Sequence, residues 1–149
     1  MRTESFLKLT DAQLLALTIY GEARGESAEG KIAVGSVIIE RVHHRKWDGQ
    51  TIKEVCLKPW QFSCFNERDP NYGKILNIAE QWDEAMATNK ALNECFGIAV
   101  GLLTGDIDRT PEIAAAHCCQ YATDVGAENV TWDDDMKVVA RIGNHIFFS

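Results

Sequence analysis

Residues 10–26 read TDAQLLALTIYGEARGE, an apolar helix pattern that runs directly into two carboxylates and a guanidinium. Thr10 is a good helix N-cap, and Gln13 three residues later completes a capping box. At 100° per residue, Leu14, Leu15, Leu17, Thr18 and Ile19 cover one broad arc. Glu22 falls inside that arc, four residues after Thr18 and seven after Leu15, whereas Arg24 projects away from it. Gly21 and Gly25 predict that the helix ends close by. An ionised group on a core-facing arc is costly unless it is paired or used.

Working outward, a second helix is predicted from Ser27 as cap, with Glu29 near the positive end of the dipole. It runs through KIAVGSVIIERVHHR and is apolar almost all round until Glu40, the pattern of a central, buried helix. Gly35 and the small Ser36 allow another element to approach it closely. Residues 46–73 read as irregular: WDGQTIKEV holds a turn at Asp48–Gly49 and a short helix or strand, and KPWQFSCFNERDPNYG is a long loop rich in aromatics. Long loops in small domains are often functional. Helical patterns resume from Lys74 to about Thr88 and from Lys90 to Leu103, with Gly105 as a stop. Thr110-Pro111-Glu112 starts another helix leading into IAAAHCCQYA, and VVARI-GN-HIFF reads as a hairpin. The expected class is α+β: mostly helical, one domain over residues 1–149, with a small β-hairpin.

Composition fits this. A chain of 149 residues can bury a sizeable core, and 46% hydrophobic and 25% charged residues are ordinary for a globular domain. The formal charge of -7 repels nucleic acid and anionic membrane, and no Lys or Arg run offers a local basic patch. The apolar runs IAVGSVII and CFGIAVGLL are far too short to span a bilayer. Cys56, Cys64, Cys95, Cys118 and Cys119 make an odd number without a regular framework. With an N-terminus that lacks a signal-like apolar stretch, this predicts synthesis in a reducing cytosol.

Glu22 is the sharpest chemical candidate. Lost hydration raises a carboxyl's pKa and keeps it protonated near neutral pH, and glycosidic cleavage needs such a proton donor for the leaving oxygen. The bland alternative is a helix-terminal Glu satisfied by Arg24 or by backbone amides. Glu26 is a candidate second acid or substrate-orienting group, or else a solvated first-turn charge for the next helix. The loop Trp60-Gln61-Phe62-Ser63-Cys64-Phe65 interleaves rings with hydrogen-bonding groups, as a sugar-binding groove does; core packing is the alternative for each ring. Two rivals come from the histidines and cysteines. His43, His44, His117, Cys118, Cys119 and His145 contain neither HExxH nor CxxC, so no metal site is expected. Cys64 or Cys118, activated by His117 or His145, would make a thiol nucleophile.

These residues carry a resemblance. The segment ALTIYGEARGESAEGKIAVGSVIIERV is similar to the opening of the SleB-type cell wall hydrolase family, KPWQFSCF to its Gln-Pro-x-x-Phe-Ser loop, and KVVARIGNHIFF to its Ile-Gly-Asn-His-x-Phe ending. The three motifs stand in family order over residues 12 to 149. The resemblance implies a lysozyme-like fold and cleavage of the β-1,4 bond between N-acetylmuramic acid and N-acetylglucosamine in peptidoglycan. It places the catalytic glutamate at Glu22, in agreement with the helical arc, and Gln61, Phe62 and Ser63 in the substrate groove. Two departures stand out. Pro59 is followed here by Trp60-Gln61, and TPEIAAAHCCQYA replaces a stretch where the family often has Gly-Ala and then aromatics. His117 and Tyr121 are the expected substrate-facing residues there.

The expected function is therefore peptidoglycan cleavage by a lytic transglycosylase or muramidase, without metal or organic cofactor. The partners are glycan strands, with no nucleic acid and no stable membrane insertion, and the protein is expected to be a monomer. The expected setting is a phage endolysin, made in the cytoplasm and acting on the wall after membrane permeabilisation; a spore cortex or bacterial remodelling enzyme is the runner-up. The competing classes are a cysteine-dependent amidase or peptidase, and a non-catalytic wall-binding module.

Overall fold

Helix α2 (Asp11–Ala23) forms where the capping box predicts. Thr10 Oγ1 accepts from the Gln13 amide at 3.2 Å, and Gln13 Oε1 accepts from the Thr10 amide at 2.9 Å, so two otherwise orphaned donors are satisfied. The structure is a computed structural model in which residues 4–118, 120–123 and 136–149 are described. A short turn of helix, α1 (Glu4–Leu7), precedes α2. Ser27 caps α3 (Ala28–His44) through its hydroxyl and the Gly30 amide. Then come α4 (Ile52–Leu57), α5 (Tyr72–Glu80), α6 (Trp82–Thr88), α7 (Lys90–Thr104) and α8 (Pro111–Ala116), with single turns of 3-10 helix at Lys46–Asp48 and Ser63–Phe65.

The core is built around α2, whose residues from Leu14 to Tyr20 are all buried. It packs most extensively on α7 and also on α3 and α4, while α3 crosses α7. The crossing is close: a Cβ on Gly35 would stand 2.6 Å from Leu102 Cδ1 and 3.1 Å from Ile19 Cδ1. Gly105, at φ 87°, closes α7 in the left-handed conformation.

The C-terminal sheet is larger than a hairpin. β2 (Val138–Ile142) and β3 (His145–Phe148) pair antiparallel as expected, and β1 (Gln120–Thr123) adds to the other side of β3, giving the order β1-β3-β2. The expected continuation of α8 through IAAAHCCQYA thus fails after Ala116. His117 turns into the left-handed region (φ 48°, ψ 45°), Cys118 sends its thiol toward the Gln120 and Phe148 carbonyls, and the chain leaves as a strand. Cys119 lies outside the described residues. The helical stretch from Lys74 also splits, at Gln81, into α5 and α6. None of the described helices is long and apolar enough to cross a membrane.

Candidate active site

Glu22 sits in the last turn of α2, where the buried face of the helix reaches the surface. Tyr121 on β1 donates its hydroxyl proton to Glu22 Oε1 at 2.7 Å. The tyrosine is set by the sheet: it pairs with Phe147 across β1 and β3, and its ring meets that of His145 edge-on, 5.2 Å between centroids. Burial pushes the Glu22 carboxyl above the usual carboxylate range; the Tyr121 hydrogen bond pulls it down, Asp69 adds to the rise and Arg41 opposes it. Burial and the neighbouring Glu22 charge also hold the Tyr121 hydroxyl well above its ordinary value, so it remains a neutral donor.

Glu26 lines the same groove, but its carboxylate is already taken. Oε1 accepts from the Asn144 amide at 2.7 Å and Oε2 from Asn144 Nδ2 at 3.2 Å, while His145 Nδ1 lies 3.3 Å from Oε1. The β2–β3 turn is thereby seated on the Gly-Glu-Ala-Arg-Gly-Glu segment. Only glycine fits at its corner: Gly143 has φ 57°, and a Cβ there would stand 2.5 Å from Glu26 Oε1. Arg24 donates to Asn71 Oδ1 at 2.7 Å and lies over the Tyr20 ring, and among the described residues it pairs with no carboxylate. With Thr123 these residues border an open groove of about 430 Å³ at Glu22.

The remaining predicted residues spread around this centre. Gln61 Oε1 accepts from Arg41 Nη1 at 3.3 Å, so the loop touches the same guanidinium that moderates Glu22. Phe62, expected in the groove, instead turns inward: it is 1% exposed and lies under Arg41, with no face for a sugar. Ser63 is exposed, and Trp60, at 82% exposure, is the loop's outward ring. His117 lines not this groove but a second one, with His44, Trp47 and Gln120. Asn71, Asn144 and Arg41 went unmarked in the sequence; Asn144 alone had a signal, as part of the quoted Gly-Asn turn.

The described thiols do not suit nucleophilic work. Cys56, Cys64, Cys95 and Cys118 are free and buried. Burial pushes Cys56 up to about 12 and Cys95 up to about 11, and raises Cys64 and Cys118 as well, whereas a reactive thiol needs a lowered value.

Residues 25–148 match the family described as Cell Wall Hydrolase. The chain belongs to that family. The match begins just after Glu22. A curated relative of this chain, the spore cortex-lytic enzyme of Oceanobacillus iheyensis, is 42% identical over 80 residues, which cover 49% of this chain and 29% of the relative. The chain thus spans well under half of that relative's length. Two solved structures share the fold of this chain. The catalytic domain of the Bacillus cereus SleB protein superposes with a TM-score of 0.56 at 20% identity, covering 100% of this chain and 93% of that one. The catalytic domain of the germination-specific lytic transglycosylase SleB from Bacillus anthracis gives 0.55 at 21% identity, covering 93% of each. The lysozyme-like, mostly helical fold with a small antiparallel sheet is that of these domains.

Proposed function

We propose that this cell wall hydrolase cleaves the glycan strands of peptidoglycan at the β-1,4 bond after N-acetylmuramic acid, with Glu22 as general acid and then base. The observation that carries this reading is the Glu22 carboxyl itself, desolvated and hydrogen-bonded by Tyr121 at 2.7 Å beside an open groove. A carboxyl that holds its proton more tightly than an exposed one can give it to the leaving glycosidic oxygen as the C1–O bond breaks. Tyr121 fixes its direction, and Arg24, Asn71 and Asn144 border the groove beside it.

The second half of the reaction turns on what attacks C1. Among the described residues, Glu26 is committed to the β2–β3 turn, and one oxygen of Asp69 accepts from the Asn71 amide. Attack by the muramic acid's own C6 hydroxyl therefore accounts best for the groove: a C1–O6 bond forms, and the hydroxyl proton passes to the Glu22 carboxylate. The product is a 1,6-anhydro sugar, and the reaction is lytic transglycosylation. Free thiols fit synthesis in a reducing cytosol, and we extend the reading to a phage endolysin that meets the wall after membrane permeabilisation and acts as a monomeric catalytic domain. Mass spectrometry of soluble fragments from purified peptidoglycan tests the product: anhydro-muropeptides are expected, and reducing-end muropeptides would instead require a water held by a second acid.

A further inference from the structure

The second groove holds a cluster that the cell wall reading does not use. Glu40 and His44 lie one helical turn apart on α3, and His117 arrives from the left-handed turn after α8. One donor atom from each comes together within 4.8 Å of the other two. His44 Nε2 is 3.2 Å and His117 Nδ1 3.8 Å from the same oxygen, Glu40 Oε2. That side chain is 1% exposed, and Oε2 has no hydrogen-bond partner. Its other oxygen is held by Arg109 Nη1 at 3.3 Å. A buried carboxylate oxygen aimed at two imidazoles without a hydrogen bond is anomalous for a structural ion pair and is what a metal ligand looks like before loading.

We propose that Glu40, His44 and His117 form a binding site for a zinc-class divalent cation. Donors about 2.0–2.1 Å from a tetrahedral ion stand about 3.4 Å from one another, and the two measured separations bracket that figure. Two imidazoles and one carboxylate suit zinc and its neighbours rather than magnesium or calcium. Arg109 fixes the carboxylate so that Oε2 is its single donor. The rings lie tilted against each other, 3.9 Å between centroids, and the histidine side chains are 40% and 60% exposed, so they can fan apart around an ion without disturbing the core. Solvent completes the coordination on the open side. The ion would tie α3 to the segment that leads into β1, four residues before Tyr121. The inference rests on this geometry alone and not on the proposed reaction.

The test is titration of the metal-stripped, full-length chain with Zn²⁺ and Co²⁺, its thiols kept reduced. One Zn²⁺ per chain is expected, and Co²⁺ should give visible d–d bands without the near-ultraviolet absorption of a cobalt–thiolate bond. His44→Ala and His117→Ala remove exposed side chains and should keep the metal-free melting temperature. Each should weaken Zn²⁺ binding by at least about 100-fold, since a direct ligand matters more than the outer partners whose loss costs about 10–100-fold. His43→Ala, on the same helix, should bind as wild type does. Absence of saturable binding, unchanged binding in the two variants, or a thiolate band would each overturn the site.

Discussion

Tyr121 and Glu22, 99 positions apart in the chain, meet in a hydrogen bond of 2.7 Å that joins the C-terminal sheet to the end of α2. The bond lowers the Glu22 pKa against the larger upward push of burial. Removing it in Tyr121→Phe should let the carboxyl rise further. An acid catalyst works while protonated, so activity falls as pH rises through its pKa. In Tyr121→Phe that fall should move to higher pH. The rate below it should drop by less than about tenfold, the scale of one hydrogen bond of about 0.5–1.5 kcal/mol. A pH–rate profile of both proteins checks this; a fall that stays in place, or moves to lower pH, would count against the assignment.

The same carboxyl links stability to pH. Its folded pKa lies above its unfolded one, so the folded state binds more protons and stability declines as pH rises from the unfolded value through the folded one. Glu22→Gln keeps the shape and cannot ionise. The variant should match wild type near pH 4 and be the more stable of the two at pH 8. Thermal melts across that range would show the two curves diverging with pH; a Gln variant that loses ground at pH 8 would mean that the charged form is favoured in the fold.

Glu26 and Gly143 form the latch that holds the β2–β3 turn on the end of α2. Gly143→Ala imposes a left-handed alanine, which costs about 1–2 kcal/mol, and drives its Cβ toward Glu26 Oε1, adding an overpacking cost of about 1–3 kcal/mol. A loss of at least about 2 kcal/mol is expected in urea unfolding. Gly25→Ala meets nothing within 4 Å and should stay within about 0.5 kcal/mol of wild type. Equal effects at the two glycines would remove the latch from the account.

The thiols give a separate prediction. Cys64 and Cys118 are buried with raised pKa values, which disfavours the thiolate that an attack on substrate needs. Cys64→Ala and Cys118→Ala should each lose about 1–3 kcal/mol of stability as core truncations while keeping their rate of fragment release at a temperature where they remain folded. Loss of activity in a folded Cys variant would revive the cysteine-dependent class.

Local rules carried much of the fold. Thr10 with Gln13, Ser27, Gly105 and the Gly143–Asn144 turn each act through neighbours within a few residues, and each marks an element boundary in the structure. The inward-facing position of Glu22 was legible because a 3.6-residue period fixes which face a side chain takes. Partners from distant segments were not. The break after Ala116 depends on β3 offering an edge to Gln120–Thr123, which no periodicity in IAAAHCCQYA announces. Phe62 looked like a groove ring because aromatic composition cannot distinguish an inward from an outward face. Glu26 looked free because its partner, Asn144, lies 118 positions on. His44 and His117 show no metal-ligand spacing in the sequence for the same reason, although the fold brings their rings to 3.9 Å between centroids.

The most direct test of the central claim compares wild type with Glu22→Gln on purified peptidoglycan, following release of soluble fragments by mass spectrometry alongside pull-down on the insoluble wall. Losing a general acid typically costs about 10²–10⁴ in rate. The variant should therefore stay folded, bind the wall as wild type does, and release fragments at least about 100-fold more slowly. Release of the same fragments at the wild-type rate by a folded Glu22→Gln protein would contradict the account.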